Sequence, residues 1–291
     1  MVELFAVSLV WAFSFGLIKD NLVSVDPNFV AFARLFLSLL VFLPFLRLKG
    51  ISRSAALKLA LVGAVQYGIM YMTYNLSFRY LQAYEVALFT IFTPLYVTLV
   101  DNLLQRRLTW LQGLAAVVAV AGAAVIKVNG AIGNDVWLGF VIVQVSNLAF
   151  AFGQVYYKRV MAAEPGLKDR QVFAIPYLGA AVTAALGTTI FGGWASLNLG
   201  LPQVLSLVYL GLVASGLGFF LWNMGARKVN NGALAILNNL KIPLAVAVSL
   251  IVFGENANLT TLLIGGAIIL LAYGLNELSI HWRKLNPQRV I

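Results

Sequence analysis

Few side chains in this sequence can do chemistry, and most of those sit inside long apolar runs. The run 231–253 holds Asn238, Asn239 and Lys241 just before Pro243, and Asn238 and Lys241 share a helical face at a spacing of three. An ammonium inside an apolar helix is costly unless an acid or a wet cavity meets it. Its partner is therefore either Glu85 or the acid group of a substrate. The run 136–157 carries Gln144, Asn147, Ala151 and Gln154, with Lys158 at its edge, as one stripe at i, i+3, i+4 spacing. Such amides either hydrogen-bond neighbouring helices or line a cavity. Lys158 is expected to snorkel at the boundary.

Aromatic residues supply the apolar walls that a ring-containing ligand needs. Trp11, Phe15 and Tyr71 fall well within apolar runs, and Phe92 and Tyr96 share a face with Glu85 and Phe89. Ser215, Trp222 and Asn223 offer further contacts, although Trp222 and Tyr74 equally suit interfacial anchors. Glu85 reads either as a helix-start cap favoured by the macrodipole or as a carboxylate coupling transport to an ion. Arg34 reads as structural, either buried and paired or snorkelling. There is no cysteine, one histidine (His281), no Gly-x-x-x-x-Gly-Lys-Ser/Thr loop and no His-Glu-x-x-His or Gly-x-Ser-x-Gly pattern. ATP hydrolysis, a metal centre and enzyme chemistry in general are not expected, and no cofactor is called for.

Composition explains why the polar residues stand out. The 291 residues are 61% hydrophobic and only 10% charged, against about 25% charged for a soluble domain. Ten apolar runs of membrane-crossing length follow, at about 3–19, 28–46, 55–77, 82–100, 109–127, 136–157, 171–192, 203–223, 231–253 and 259–280. With the N-terminus inside, 15 of the 20 lysines and arginines fall on inner segments and 3 (Lys19, Arg79, Lys127) on outer ones. Both termini are thus expected on the cytoplasmic side of a bacterial inner membrane. The net charge of +10 is then a topology signal and not a nucleic-acid footprint.

The two halves resemble each other. Ala12-Phe13-Ser14-Phe15-Gly16 echoes Ala149-Phe150-Ala151-Phe152-Gly153, Tyr74-Asn75 echoes Trp222-Asn223, and Gly68 pairs with Gly216 and Pro94 with Pro243. Thr109, Gly113 and Gly122 likewise match Thr261, Gly265 and Gly274. Residues 1–130 and 131–291 therefore read as two five-helix repeats. Because five is odd, the second must be inverted, the plan of carriers that work by alternating access around a midplane site.

The Trp11-Ala12-Phe13-Ser14-Phe15 opening, Arg34 with the leucines after it, Thr93-Pro94 and Gly254-Glu255 resemble the drug/metabolite transporter superfamily in its EamA-type branch. The Gly-Glu usual after the fourth span of that family is replaced here by Gln105-Arg106-Arg107. Phe42 to Arg47, Met70-Tyr71-Met72, Leu88 to Tyr96, Ser146-Asn147, Tyr157-Lys158-Arg159, Val213 to Gly216, Trp222-Asn223 and Asn238-Asn239 resemble bacterial single-component biotin transporters. That resemblance implies an all-α membrane protein that imports biotin without ATP or an ATPase subunit. EamA-type relatives also export amino acids and other metabolites, so the fold alone leaves direction and substrate open. For biotin, Lys241 would take the carboxylate, Asn147, Gln144 or Asn238 the ureido group, and Trp11, Phe15, Tyr71 and Phe92 the apolar body.

Overall fold

The computed structural model describes residues 2–105, 134–195, 198–229 and 231–255, with positions 260 and 267. The expected fifth and tenth spans (109–127 and 259–280), His281 and the glycine matches at 113, 122, 265 and 274 lie outside the described residues. Eight helices make up the described part. They are α1 (Val2–Leu22), α2 (Pro27–Phe45), α3 (Arg53–Ser77), α4 (Ala83–Leu104), α5 (Asn134–Ala163), α6 (Asp169–Ile190), α7 (Leu201–Lys228) and α8 (Asn231–Ile251). They correspond in order to the expected spans one to four and six to nine. Among the described residues there is no strand, and the first seven helices are long and apolar enough to cross a membrane.

Helix starts are set by local chemistry. Asp26 caps α2 by accepting from the amides of Asn28 (2.9 Å) and Phe29 (3.0 Å), and Pro27 follows where its missing N–H costs nothing. Ser52 caps α3 through the Ala55 amide at 3.0 Å. At α4, Glu85 reaches back to the Gln82 amide at 2.8 Å, while Glu255 accepts from the amides of Ala83 (2.8 Å) and Tyr84 (3.1 Å). The acid after α8 thus fastens the start of α4, and Ser249 donates to the same carboxylate.

Three helices depart from α geometry in mid-course. α3 runs through a π-helical turn at Ala64–Ile69 and α7 through another at Leu210–Leu217. α4 tightens to a 3₁₀ turn at Thr90–Phe92 just before Pro94. Proline cannot bond the carbonyl four residues back, and the Thr93 hydroxyl supplies that bond to the Thr90 oxygen at 2.7 Å.

Packing places α1 against α7 and α8, α2 against α6 and α7, and α5 against α3 and α4, with α3 also lying on α6. The α3–α6 seam is a backbone contact between small residues, as expected where apolar solvent gives no hydrophobic drive. A Cβ on Gly63 would fall 1.7 Å from the Pro176 carbonyl oxygen, and one on Gly179 would fall 2.1 Å from that of Ala60. Gly63→Ala should therefore destabilise the fold by about 1–3 kcal/mol, seen as a lower melting temperature in detergent. Gly166→Ala, where nothing lies within 4 Å, should melt with the wild type.

Candidate functional site

A central cavity lies among the helices, with about 500 Å³ of empty space counting its open mouth. Seven of the eight described helices line it. Trp11, Ser14 and Phe15 come from α1, Arg34 from α2, and Met70, Tyr71 and Tyr74 from α3. Thr90 and Thr93 come from α4, Ser146, Asn147 and Phe150 from α5, Phe219 from α7 and Lys241 from α8. α6 contributes through Tyr177, whose hydroxyl bonds the carbonyls of Ser215 (2.6 Å) and Gly216 (3.0 Å) and so holds the π turn of α7.

Two cations face this space. Lys241 is 6% exposed, and its Nζ sits 5.1 Å from the Trp11 ring and 5.5 Å from that of Phe150. Ring faces attract a cation but leave its N–H donors without acceptors. Arg34, 1% exposed, is held differently. Its Nη2 donates to the Tyr71 hydroxyl (2.8 Å), Nε to Ser215 Oγ (3.2 Å) and Nη1 to Asn75 Oδ1 (3.4 Å). The guanidinium also lies 4.0 Å from the centre of the Tyr71 ring. Among the described residues neither cation has a carboxylate within 4.0 Å; the ion pairs Asp101–Arg159, Asp169–Arg227 and Glu3–Lys228 lie at helix ends. Of the two partners that the sequence leaves open to Lys241, Glu85 is engaged at the α4 N-terminus.

The walls are aromatic. Trp11 packs on Phe219 (5.1 Å between centroids), Trp222 (4.9 Å) and Phe150 (6.0 Å), and its indole N–H is fixed on the Ala214 carbonyl at 2.9 Å. Tyr71 also meets Phe219 at 5.6 Å, and Phe15 meets Tyr74 at 5.7 Å. One amide reaches the cavity. Asn147 donates to the Phe89 carbonyl (2.8 Å) and to Gln144 Oε1 (3.1 Å), and accepts from Thr93 Oγ1 (3.3 Å).

Of the residues singled out by sequence, Lys241, Asn147, Tyr71, Trp11 and Phe15 line the cavity together. Gln144 stands behind Asn147, and its buried Nε2 has no partner among the described residues. Ser215 stands behind Tyr71 and Arg34. Asn238 and Trp222 both donate to Gln154 Oε1, at 3.4 and 3.2 Å, one layer away from the cavity. Asn223 bonds Tyr67 (2.5 Å) and Gln66 (3.2 Å) in a further layer. Phe92 packs on Phe140, and Tyr96 lies on the α4–α5 seam, so neither lines the cavity. Arg34, read as structural, is both buried in a network and part of the lining. An arginine amid the apolar run of α2 was its only signal. Phe219, also in the lining, carried none beyond its place in an apolar run, and Ser146 none beyond the resemblance that Ser146-Asn147 carries.

Comparison with known proteins adds a family and three relatives. The EamA-like transporter family matches the chain twice, over residues 2–128 and 137–276. The "Biotin transporter" of Salmonella typhimurium is 40% identical over 99% of this chain and 95% of its own length. The "Probable biotin transporter" of Pseudomonas aeruginosa is 41% identical over 96% of this chain and 98% of its own. A more distant protein, the "Probable terminal-alkyne amino-acid exporter" of Streptantibioticus cattleyicolor, is 28% identical over 72% of this chain and 69% of its own.

An uncompensated ammonium is a cost to the empty fold. Lys241→Met keeps the length of the side chain and removes the charge. It should leave the ligand-free protein about 1 kcal/mol or more stabler, read as a higher melting temperature in detergent.

Proposed function

The chain belongs to the EamA-like transporter family, and we propose that it carries biotin across the bacterial inner membrane by alternating access. The observation that carries this reading is Lys241, a buried ammonium that touches ring faces and has no acid within 4.0 Å among the described residues. A ligand carboxylate supplies the missing counter-charge through a charge-assisted hydrogen bond. The fused rings and chain of biotin lie against Trp11, Phe150 and Phe219. Asn147, whose two N–H donors are spent on Phe89 and Gln144, offers its amide oxygen toward a ureido N–H. Full-length relatives bearing the name biotin transporter support the same ligand.

An exported amino acid fits the cavity less well. Its ammonium needs an acid, and the described lining offers two cations and no carboxylate. Biotin has the opposite charge pattern, one anion and a neutral polar ring.

The carrier has ten spans in two inverted repeats, 1–130 and 131–291, with both termini cytoplasmic. Supporting this is the double family match over 2–128 and 137–276. Packing supports it too. Exchanging the halves maps α1–α8 onto α5–α4, α2–α7 onto α6–α3 and α1–α7 onto α5–α3, while α2–α6 maps onto itself. The π turns of α3 and α7 are equivalent under the same exchange. Two halves of like construction can trade conformations, which opens the midplane cavity to one side and then the other. No ATPase subunit and no cofactor enter this cycle.

Purified protein in liposomes preloaded with biotin should take up labelled biotin by saturable exchange. Excess unlabelled biotin should block it and excess phenylalanine should not. Absence of exchange by folded, inserted protein would discard biotin as the substrate.

A further inference from the structure

Tyr71 is placed to do more than fill a wall. Its oxygen is 2.8 Å from Arg34 Nη2 and 2.9 Å from Ser215 Oγ, both of which donate to it. Ser215 Oγ in turn accepts from Arg34 Nε at 3.2 Å. A phenol oxygen has two acceptor positions and one proton. With both acceptor positions filled, the hydroxyl has only its proton left to offer. No protein acceptor for that proton exists among the described residues, and Tyr71 lines the cavity. The guanidinium beside it strengthens the donor, because a phenol that accepts from a cation polarises its own O–H in a low-dielectric site.

The atom that completes this arrangement is a hydrogen-bond acceptor belonging to the ligand. It is not the atom that Lys241 takes. Lys241 rests on Trp11, whereas Tyr71 is joined to Trp11 through the shared ring of Phe219, with ring separations of 5.1 Å (Trp11–Phe219) and 5.6 Å (Tyr71–Phe219). A ligand lying on that wall meets both the ammonium over Trp11 and the lone hydroxyl donor of Tyr71.

We propose that Tyr71 is the specificity-determining residue for a carbonyl oxygen at the end of the ligand remote from its carboxylate, the ureido oxygen of biotin. Arg34 and Ser215 are positioning residues that fix and polarise the Tyr71 hydroxyl. This assignment rests on the biotin reading above and adds which group reads the ring. It also gives the buried charge of Arg34 a use within the protein, since each of its three nitrogens donates to a protein oxygen.

A ligand pair tests it. Biotin and its analogue with the ureido oxygen replaced by sulfur share shape, chain and carboxylate, but sulfur is a much weaker acceptor. Calorimetric titration of the full-length protein in detergent should give the wild type about a tenfold preference for biotin over the thio analogue. In Tyr71→Phe that preference should collapse to within about twofold, through weaker biotin binding. Ser215→Ala, which removes one of the two donors to Tyr71, should show a partial collapse, and it carries the test if Tyr71→Phe does not fold. A network that only tied α2, α3 and α7 together would weaken both ligands equally and leave the ratio unmoved. An unchanged ratio in a variant that still binds biotin would overturn the assignment, as would a wild type that binds both ligands alike. A wild-type protein that does not bind biotin at all would remove the biotin reading with it, so the two failures are distinct.

Discussion

The site is organised around positive charge buried without a counter-charge among the described residues. Lys241 and Arg34 are 6% and 1% exposed and face one cavity. Among the described residues the ion pairs are confined to helix ends. Taking an ion out of water costs several kcal/mol unless partners replace the solvent. The two cations meet that cost differently. Arg34 is satisfied by three neutral oxygens and lies over an aromatic ring. Lys241 has only ring faces. The first arrangement is a hydrogen-bonded network, and the second offers the ammonium no acceptor among the described residues. A carrier benefits from that difference, because the ligand's own charge then supplies the binding energy that its hydrated carboxylate must give up.

Helix irregularities are what bring these groups to one level. The π turn in α3 ends at Ile69, directly before Met70 and Tyr71, and that in α7 contains Ala214, Ser215 and Gly216. A π turn inserts one extra residue per turn, which rotates every later side chain relative to an unbroken α-helix. It also loosens backbone carbonyls, and here several are used. Ala214 O holds the Trp11 indole, and Ser215 O and Gly216 O hold Tyr177. On α4 the 3₁₀ turn at Thr90–Phe92 has the same consequence by another route, because the Thr93 amide bonds Thr90 O and Phe89 O receives Asn147. Paired breaks in corresponding helices of the two halves fit a carrier whose binding site and moving parts share the same segments.

Much of this was legible in the amino-acid order. Apolar runs locate the eight described helices, because a helix in lipid needs an uninterrupted stretch of apolar side chains to hide its backbone. Lys241, Asn147, Tyr71, Trp11 and Phe15 stood out because polar or amphipathic groups deep in such runs need a reason to be there. Asn223 and Trp222 illustrate the limit. Counting in steps of 3.6 from Ser215 takes no account of the π turn, and both residues lie beyond it, in the layers that join Gln66, Tyr67 and Gln154. Arg34 shows a second limit. Whether a mid-span arginine pairs, snorkels or lines a cavity depends on acceptors from α3 and α7 that are far away in sequence. Glu85 was ambiguous between cap and coupling group, and the Gln82 amide at 2.8 Å places it at the helix start.

The claim on which the rest stands is that Lys241 binds the ligand's carboxylate. The direct measurement is calorimetric titration of biotin and of its neutral amide into the wild type and into Lys241→Met. The wild type should bind biotin about ten- to a hundredfold more tightly than the amide, and Lys241→Met should bind the two alike, near the affinity of the wild type for the amide. Equal losses for both ligands, or a preference for the acid that survives the substitution, would contradict the account.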